Sequence, residues 1–293
     1  MKNAKAHPPA VKEPAQVHQK PERTEKAFAQ RRQEVRRSDP QAGQRKDPLE
    51  GLEAVDRLIV ALDFPSADAA MEMVERLEGC CRWFKVGMEL YYAAGNRVIE
   101  QLRERGYEVF LDLKLHDIPN TVAGAVRSVT GVGASLLTVH AGGGEEMMRA
   151  AAQAASAPGA PKLLAVTVLT SMDATMLRRL GVSDGPDADD AVRAQVMRLA
   201  RLARTAGIDG LVCSAEEVAA LRAAMGPQAL LVVPGIRPAD TAGRRDDQRR
   251  VATAAEAIAH GASMLVVGRP ITQAADPARV AAGILAEIAA SRS

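Results

Sequence analysis

The stretch Val109-Phe-Leu-Asp-Leu-Lys-Leu-His-Asp-Ile-Pro-Asn-Thr121 places charged residues inside an apolar strand pattern. Alternate side chains of a strand share one face, so Asp112 and Lys114 point the same way among hydrophobic neighbours. Asp117 follows at odd spacing and joins them only if the chain has turned, which the Pro-Asn pair after it favours. A lone D-x-K pair is more often a structural ion pair, but the third charge and the abrupt loop favour a catalytic cluster.

Further apolar runs continue this pattern, and segments with helical spacing separate them. With the central strand, the runs cover residues 58–63, 83–87, 109–114, 136–140, 163–168, 210–213, 230–233 and 264–267. Near-continuous apolar strands divided by helices are typical of buried parallel strands, and eight of them close an α/β fold, the (β/α)8 TIM barrel. The alternative is a doubly wound open sheet, which normally has a Gly-rich first turn that Asp63-Phe-Pro-Ser66 lacks.

We expect the barrel to be a catalytic domain at residues 53–293, after a disordered basic extension at residues 1–52. Residues 1–50 contain 12 Lys and Arg against 7 Asp and Glu, with several prolines and few large apolar side chains. The rest of the chain has 26 basic against 29 acidic side chains. Hydrophobic residues make up 47% of the sequence, which is ample for a large core.

Composition argues against several function classes. Only 3% of the residues are aromatic, too few to stack nucleic-acid bases, and no run approaches the roughly 18 apolar residues of a membrane span. The cysteines Cys80, Cys81 and Cys213 have neither the spacing of a disulfide framework nor that of a metal site. We therefore expect a cytoplasmic protein with packing cysteines that binds neither nucleic acid nor a membrane.

Active sites of barrels form where the strands end, so polar residues and glycines at the predicted strand ends are the candidate site residues. They are Asp63, Lys85, Asp112, Lys114, His140, Thr170, Ser171, Pro234, Gly235, Arg237, Gly268 and Arg269. The last five lie in loops after strands seven and eight, where barrels often bind phosphate. Glycine lets backbone amides approach an anion and arginine matches phosphate oxygens, so the two loops predict a phosphate site.

Several motifs resemble those of bacterial orotidine 5'-phosphate decarboxylases, in order, from about residue 57 to residue 280. They are Ala61-Leu-Asp63, Phe84-Lys-Val-Gly-Met-Glu-Leu90, Leu111-Asp-Leu-Lys-Leu-His-Asp-Ile-Pro-Asn-Thr-Val122, Leu169-Thr-Ser171, Val233-Pro-Gly-Ile-Arg-Pro238, Asp246-Asp-Gln-Arg-Arg-Val251 and Val267-Gly-Arg-Pro-Ile-Thr272. The D-x-K-x-x-D segment is the most specific of them. The resemblance implies conversion of orotidine 5'-phosphate to UMP and CO2 by a homodimer, with no metal and no cofactor.

The resemblance also implies roles for the matching residues. Lys114 is expected to protonate C6 as CO2 leaves, beside Asp112 and together with Lys85. Asp117 completes this catalytic set from the other subunit. The expected substrate-binding residues are Asp63, Lys85, Asp117, Ile118, Thr121, Thr170, Ser171, Pro234, Gly235, Arg237, Gln248, Gly268 and Arg269. Of these, Asp63 and Lys85 are expected to hold the ribose, Ser171 the pyrimidine, and Gln248 and Arg269 the phosphate, with Thr121 also entering the neighbour's site.

Two other functions remain open. A magnesium-dependent sugar-phosphate decarboxylase or aldolase of the same superfamily shares D-x-K-x-x-D but forms an enediolate, and Leu169-Thr-Ser171 with Gln248 favours the nucleotide instead. A barrel that binds a phosphate ligand without catalysis is the second, and Lys114 among its charged neighbours argues against it. We interpret His116 and His140 as structural, since the family's mechanism needs neither.

Overall fold

A computed structural model of the chain describes residues 52–77, 79–182, 188–238 and 252–291, with only the backbone at 188–190. The predicted extension lies outside the described residues except for Leu52, and Gln248 lies outside them as well. Leu52 is 8% exposed and belongs to the same apolar cluster as Ile59 and Trp83. The packed barrel therefore includes at least one residue that the sequence assigned to the extension.

Parallel strands form a closed barrel in which each strand pairs with the next along the chain. The strands are β1 (Leu58–Ala61), β2 (Trp83–Gly87), β3 (Glu108–Leu115), β4 (Leu136–His140), β5 (Lys162–Val166), β6 (Gly210–Val212), β7 (Leu230–Val233) and β8 (Met264–Val267). β1 also pairs with β8, with Leu58 opposite Leu265, which closes the sheet. The predicted (β/α)8 barrel is confirmed, and the open-sheet alternative is wrong.

Helices connect the strands. They are α1 (Ala67–Arg76), α2 (Met88–Ala94), α3 (Asn96–Glu104), α4 (Pro119–Thr130), α5 (Gly144–Ala154), α6 (Ala174–Arg179), α7 (Ala188–Thr205), α8 (Val218–Met225), α9 (Ala254–Ala259), α10 (Arg269–Thr272) and α11 (Pro277–Ala290). Single 3-10 turns lie at Val55–Arg57 and Ala141–Gly143. Within the part of the chain that the structure describes, no helix is long and apolar enough to cross a lipid bilayer.

Both faces of the sheet are apolar, as the near-continuous hydrophobic runs predicted. On β1, Ile59 belongs to the cluster inside the barrel, whereas Leu58 and Val60 belong to the cluster that strands and helices share. All three side chains are fully buried. Burial of apolar surface, worth about 25 cal/mol per Å², therefore acts on both sides of each strand and holds the barrel together.

The interior of the barrel changes from apolar to charged along the strands. Trp83 of β2 and Phe110 of β3 lie in the inner cluster. Two residues further on, the same strand faces carry Lys85 and Asp112. Because parallel strands all end at the same end of a barrel, this alternation collects charges at one mouth, above an apolar layer.

The segment that follows β2 is divided into α2 and α3, because Gly95 between them has a φ of +63°. One local prediction is wrong. Pro119 and Asn120 do not form the turn after β3 but begin α4, where proline is favoured because its missing N–H has no partner in a first turn anyway. The chain bends at Asp117 instead. Ser66 is the N-cap of α1, since its side chain accepts a hydrogen bond from Ala69 N at 3.3 Å.

A pair of Gly→Ala substitutions tests the packing of the barrel wall. Gly210 begins β6, and a Cβ there would lie 2.1 Å from the Leu230 carbonyl oxygen on β7. Gly210→Ala should destabilise the protein by about 1–3 kcal/mol, since backbone atoms must shift. Gly283 lies in α11 with no atom within 4 Å of such a Cβ, so Gly283→Ala should stabilise it by about 0.5–1 kcal/mol. Urea unfolding measures both, and effects of the same sign would contradict the packing described.

Candidate active site

A cavity of about 520 Å³ lies at the carboxyl ends of the strands. Its polar lining residues are Asp63, Lys85, Glu89, Asp112, Lys114, Thr170, Arg237, Arg269, Thr272 and Gln273. Apolar and small residues complete the wall: Ala61, Phe64, Phe110, Val166, Val168, Leu169, Val212, Cys213, Pro234, Gly235, Val266 and Gly268. A cavity of this size that combines apolar walls with convergent charged groups is typical of a site for a small molecule.

Four of these side chains form a row of alternating charge. Lys85 Nζ lies 2.9 Å from Asp63 Oδ1 and 3.8 Å from Asp112 Oδ2, and Lys114 Nζ lies 2.9 Å from Asp112 Oδ1. The side chains of Lys85 and Asp112 are only 11% and 14% exposed, while that of Asp63 is 57% exposed. Each buried charge therefore has an opposite charge beside it, which offsets the cost of its desolvation.

The backbone at Lys114 is unusual. Its φ is +50°, the only positive value at a residue other than glycine in the described ranges. Between consecutive paired positions, β3 advances from Leu111 to Leu115 while β4 advances only from Leu137 to Val139. β3 thus carries a bulge that contains Lys114. Bulges at strand ends re-aim side chains, and strained backbone tends to cluster at functional sites.

Two glycines near the cavity lie where a side chain would disturb the site. A Cβ at Gly87 would lie 2.8 Å from Lys85 Nζ and 3.2 Å from Asp63 Oδ1, so a larger residue would displace this ion pair. Gly235, in the loop after β7, has a φ of +80°, a conformation that residues with side chains rarely adopt. Gly87 therefore leaves room for the ion pair between Lys85 and Asp63, and Gly235 allows the backbone conformation of the predicted phosphate loop.

The structure brings most of the predicted site residues of one subunit to this cavity. They are Asp63, Lys85, Asp112, Lys114, Thr170, Pro234, Gly235, Arg237, Gly268 and Arg269. Arg269 is the first residue of α10, and Arg237 donates a hydrogen bond to the Ile236 carbonyl at 3.0 Å. The loops after β7 and β8 therefore line the same cavity as the charge row.

Other predicted residues lie elsewhere. Asp117, Ile118 and Thr121 are exposed at the start of α4. None of these three residues lines the cavity of the described chain. Asp117 Oδ1 accepts a hydrogen bond from the Ile118 amide at 2.7 Å. Ser171 is also exposed and does not line the cavity, although its neighbour Thr170 does, because the chain turns there. The role of Gln248 stays a prediction, since it lies outside the described residues.

Some site residues were missed by sequence reasoning. Glu89, Thr272 and Gln273 line the cavity, and the first two lie inside the quoted motifs without a role assigned to them. Thr138 does not line the cavity but is hydrogen-bonded to the charge row. The strand pattern could have identified Thr138. Leu136 of the same strand faces the barrel interior, so the polar residue two positions later faces the interior too.

Comparisons with known proteins find similar sequences and a similar fold. Residues 56–284 match the sequence profile described as the Orotidine 5'-phosphate decarboxylase / HUMPS family. The orotidine 5'-phosphate decarboxylase of Dichelobacter nodosus is 51% identical over 232 residues, which cover 79% of this chain and 98% of that protein. The enzyme of the same name from Moorella thermoacetica is 48% identical over 81% of this chain and 94% of its own length.

A solved structure is similar as well. The crystal structure of orotidine 5'-phosphate decarboxylase from Lactobacillus acidophilus superposes with a TM-score of 0.68 at 39% sequence identity. The superposition covers 79% of this chain and 98% of that one. The similarity therefore extends over almost the entire length of the solved chain.

A pair of histidines lies beside the charge row. The rings of His116 and His140 stack with centroids 5.1 Å apart and an angle of 9° between their planes. His140 Nδ1 accepts a hydrogen bond from the Gly142 amide at 3.0 Å, so this nitrogen carries no proton. Burial, and then the positive charges of His116 and Lys114, lower the pKa of His140. The geometry favours a neutral imidazole that packs against the loop after β4.

The lowered pKa of His140 has a measurable consequence. Its folded-state pKa lies below the unfolded value of about 6.5, so its contribution to stability is complete above that pH and is lost as the pH falls towards the folded pKa. His116→Asn should raise the pKa of His140 because one positive neighbour is removed, whereas His260→Asn in the distant α9 region should leave it unchanged. NMR titration of the imidazole carbon-bound protons measures this, and a pKa of His140 at or above 6.5 would contradict the assignment.

Proposed function

Because the chain belongs to the Orotidine 5'-phosphate decarboxylase / HUMPS family, we propose that it converts orotidine 5'-phosphate to UMP and CO2. It is a decarboxylase of pyrimidine biosynthesis, a lyase that forms UMP. The family description spans more than one reaction, but the relatives at about half identity carry the decarboxylase name. The observation that supports this reaction best is the largely buried carboxylate of Asp112 between two lysine ammonium groups.

The chemistry requires such a row. Loss of CO2 from C6 of the pyrimidine leaves an electron pair on a carbon that has no adjacent electron sink, so the protein must stabilise negative charge there. Lys114 donates its ammonium proton to C6 as the bond to the carboxylate carbon breaks, and the neutral amine is reprotonated by solvent. At an effective dielectric near 20, two unit charges about 3.5 Å apart interact by roughly 5 kcal/mol, enough to change the rate by orders of magnitude.

Asp112 contributes through repulsion. Its Oδ1 accepts from Lys114 and its Oδ2 lies 3.8 Å from Lys85, so the carboxylate is fixed from both sides. A substrate carboxylate placed beside it would be destabilised in the bound state, and this repulsion would disappear as neutral CO2 forms. Binding of the remote phosphate by the loops that carry Arg237 and Arg269 compensates for the repulsion. Asp63 and Lys85 are proposed to hold the ribose, Ser171 to contact the base and Gln248 to bind the phosphate.

The donor set argues against the magnesium-dependent alternative. A divalent cation prefers carboxylate oxygens that are free to coordinate it. Lys85 Nζ contacts both Asp63 and Asp112, and Lys114 Nζ contacts Asp112 again. Two ammonium groups at these carboxylates repel a further cation, so the row favours chemistry that needs no metal ion.

The working unit is proposed to be a homodimer with composite sites. Ile118 is 68% exposed, and Asp117 and Thr121 next to it are exposed as well. A second subunit that covers Ile118 would bring these residues to the neighbouring cavity. We also propose a cytoplasmic location, in keeping with three cysteines that are all free thiols.

Replacing Lys114 by Ala tests the proton donor. We expect the wild-type protein to decarboxylate orotidine 5'-phosphate fully in excess EDTA, and Lys114→Ala to lose at least about 1,000-fold in kcat while still binding UMP. Lys162→Ala is the matched control, because Lys162 begins β5 at the opposite end of the barrel. Turnover of the Lys114 variant near the wild-type level would refute its role, and loss of wild-type activity in EDTA would favour the magnesium-dependent reaction.

Mixing inactive subunits tests the composite site. In a heterodimer of Lys114→Ala and Asp117→Ala chains, one site inherits both lesions and the other inherits neither, so activity should reappear. Random exchange gives about half heterodimers, hence roughly a quarter of wild-type activity. The control pairs Lys114→Ala with Asp112→Ala, two residues that line the same cavity of one chain, and should recover nothing. Absence of recovery in the first mixture, with subunit exchange demonstrated, would mean that each barrel completes its own site.

A further inference from the structure

Thr138 connects the charge row to the bulged backbone that carries it. The residue lies in the middle of β4 and is completely buried. Its Oγ1 accepts a hydrogen bond from the Lys114 amide at 2.8 Å and donates one to Asp112 Oδ1 at 3.0 Å. One hydroxyl therefore contacts both the backbone of the proposed proton donor and the carboxylate beside it.

The direction of these hydrogen bonds is fixed. An amide N–H can only donate, so the Thr138 oxygen must accept from Lys114. The single hydroxyl proton then points to Asp112, whose ionised carboxylate can only accept. Asp112 Oδ1 also accepts from Lys114 Nζ at 2.9 Å. Backbone and side chain of Lys114 are thus both tied to the pair formed by Thr138 and Asp112.

The hydroxyl also replaces a missing strand contact. Paired positions of β3 and β4 stop at Leu111 and resume at Leu115, so the amide of Lys114 lies inside the bulge. A buried amide without a partner is costly, and a residue with a side chain at a φ of +50° needs support from its surroundings. The Thr138 hydroxyl supplies the partner and thereby stabilises the conformation that aims the Lys114 side chain.

We propose that Thr138 is a positioning residue for the decarboxylation: through the Lys114 amide and the Asp112 carboxylate it holds the ammonium group where the developing charge at C6 needs it. This inference rests on the proposed function. It predicts that the hydroxyl matters to the chemical step and much less to nucleotide binding, because Thr138 does not line the cavity in the described part of the chain. A purely structural threonine would instead affect stability and all kinetic constants together.

The test removes the hydroxyl in two ways. Thr138→Val replaces the hydroxyl by a methyl group at nearly constant shape. Thr138→Ala and Thr138→Ser both lack the threonine methyl group and differ from each other only in the hydroxyl, so they give the comparison independently if the valine variant does not fold. Thr167→Val is the matched control: Thr167 follows β5, is 1% exposed, and within the described residues its hydroxyl has no hydrogen-bond partner.

We expect Thr138→Val and Thr138→Ala to lower kcat on orotidine 5'-phosphate by about 10- to 100-fold, since small misplacements of a reacting group have effects of this size. The dissociation constant of UMP, measured by calorimetry, should change by less than about threefold. Thr138→Ser should stay within about fivefold of the wild-type kcat, and Thr167→Val should match the wild type in both quantities.

Three outcomes would overturn the inference while leaving the proposed function intact. The first is an active wild-type protein whose kcat is unchanged in Thr138→Val and Thr138→Ala. The second is a loss of UMP affinity in proportion to the loss of kcat. The third is an equal loss of kcat in Thr167→Val. A folded wild-type protein that does not decarboxylate orotidine 5'-phosphate at all would overturn the proposed function, and this inference with it.

Discussion

Everything at the cavity depends on keeping a carboxylate charged inside a barrel. Asp112 is 14% exposed and lies between the ammonium groups of Lys85 and Lys114, at 3.8 and 2.9 Å. Neighbours of opposite sign offset the desolvation of a buried charge, whereas removal of one neighbour typically lowers the stability of the fold by several kcal/mol. Each charge in the row therefore depends on its neighbours of opposite sign, and the arrangement is stable only when all four side chains are present.

The closed barrel makes this arrangement possible. Inward positions are apolar near the strand starts, at Trp83 and Phe110, and charged two residues later, at Lys85 and Asp112. The apolar layer excludes water from one side of the charge row and keeps the local dielectric low, which strengthens each electrostatic contact. The same strands thus supply both the apolar residues of the core and the charged residues that determine the electric field at the mouth of the barrel.

Much of this could be predicted from the sequence, because it depends on local periodicity. The strands at Trp83–Gly87, Leu136–His140, Leu230–Val233 and Met264–Val267 have the predicted bounds, and strand parity alone placed Asp112 beside Lys114. The left-handed conformation of Lys114 could not be predicted, because it depends on the register between β3 and β4. The role of Thr138 arises from the same long-range pairing. The proposed role of Asp117 depends on a second subunit, and the sequence of one chain carries no local signal for how two subunits would meet.

In the proposed complex, a single nucleotide spans the charge row and the loops after β7 and β8 that carry Arg237 and Arg269. The most direct measurement is a crystal structure with UMP bound. We predict that Lys114 Nζ lies about 3 Å from C6 of the pyrimidine, within hydrogen-bond reach, while the phosphate contacts Arg269 and the backbone amides around Gly235 and Gly268. A phosphate bound at Lys85 and Lys114, or a pyrimidine ring whose C6 faces away from Lys114, would contradict the account.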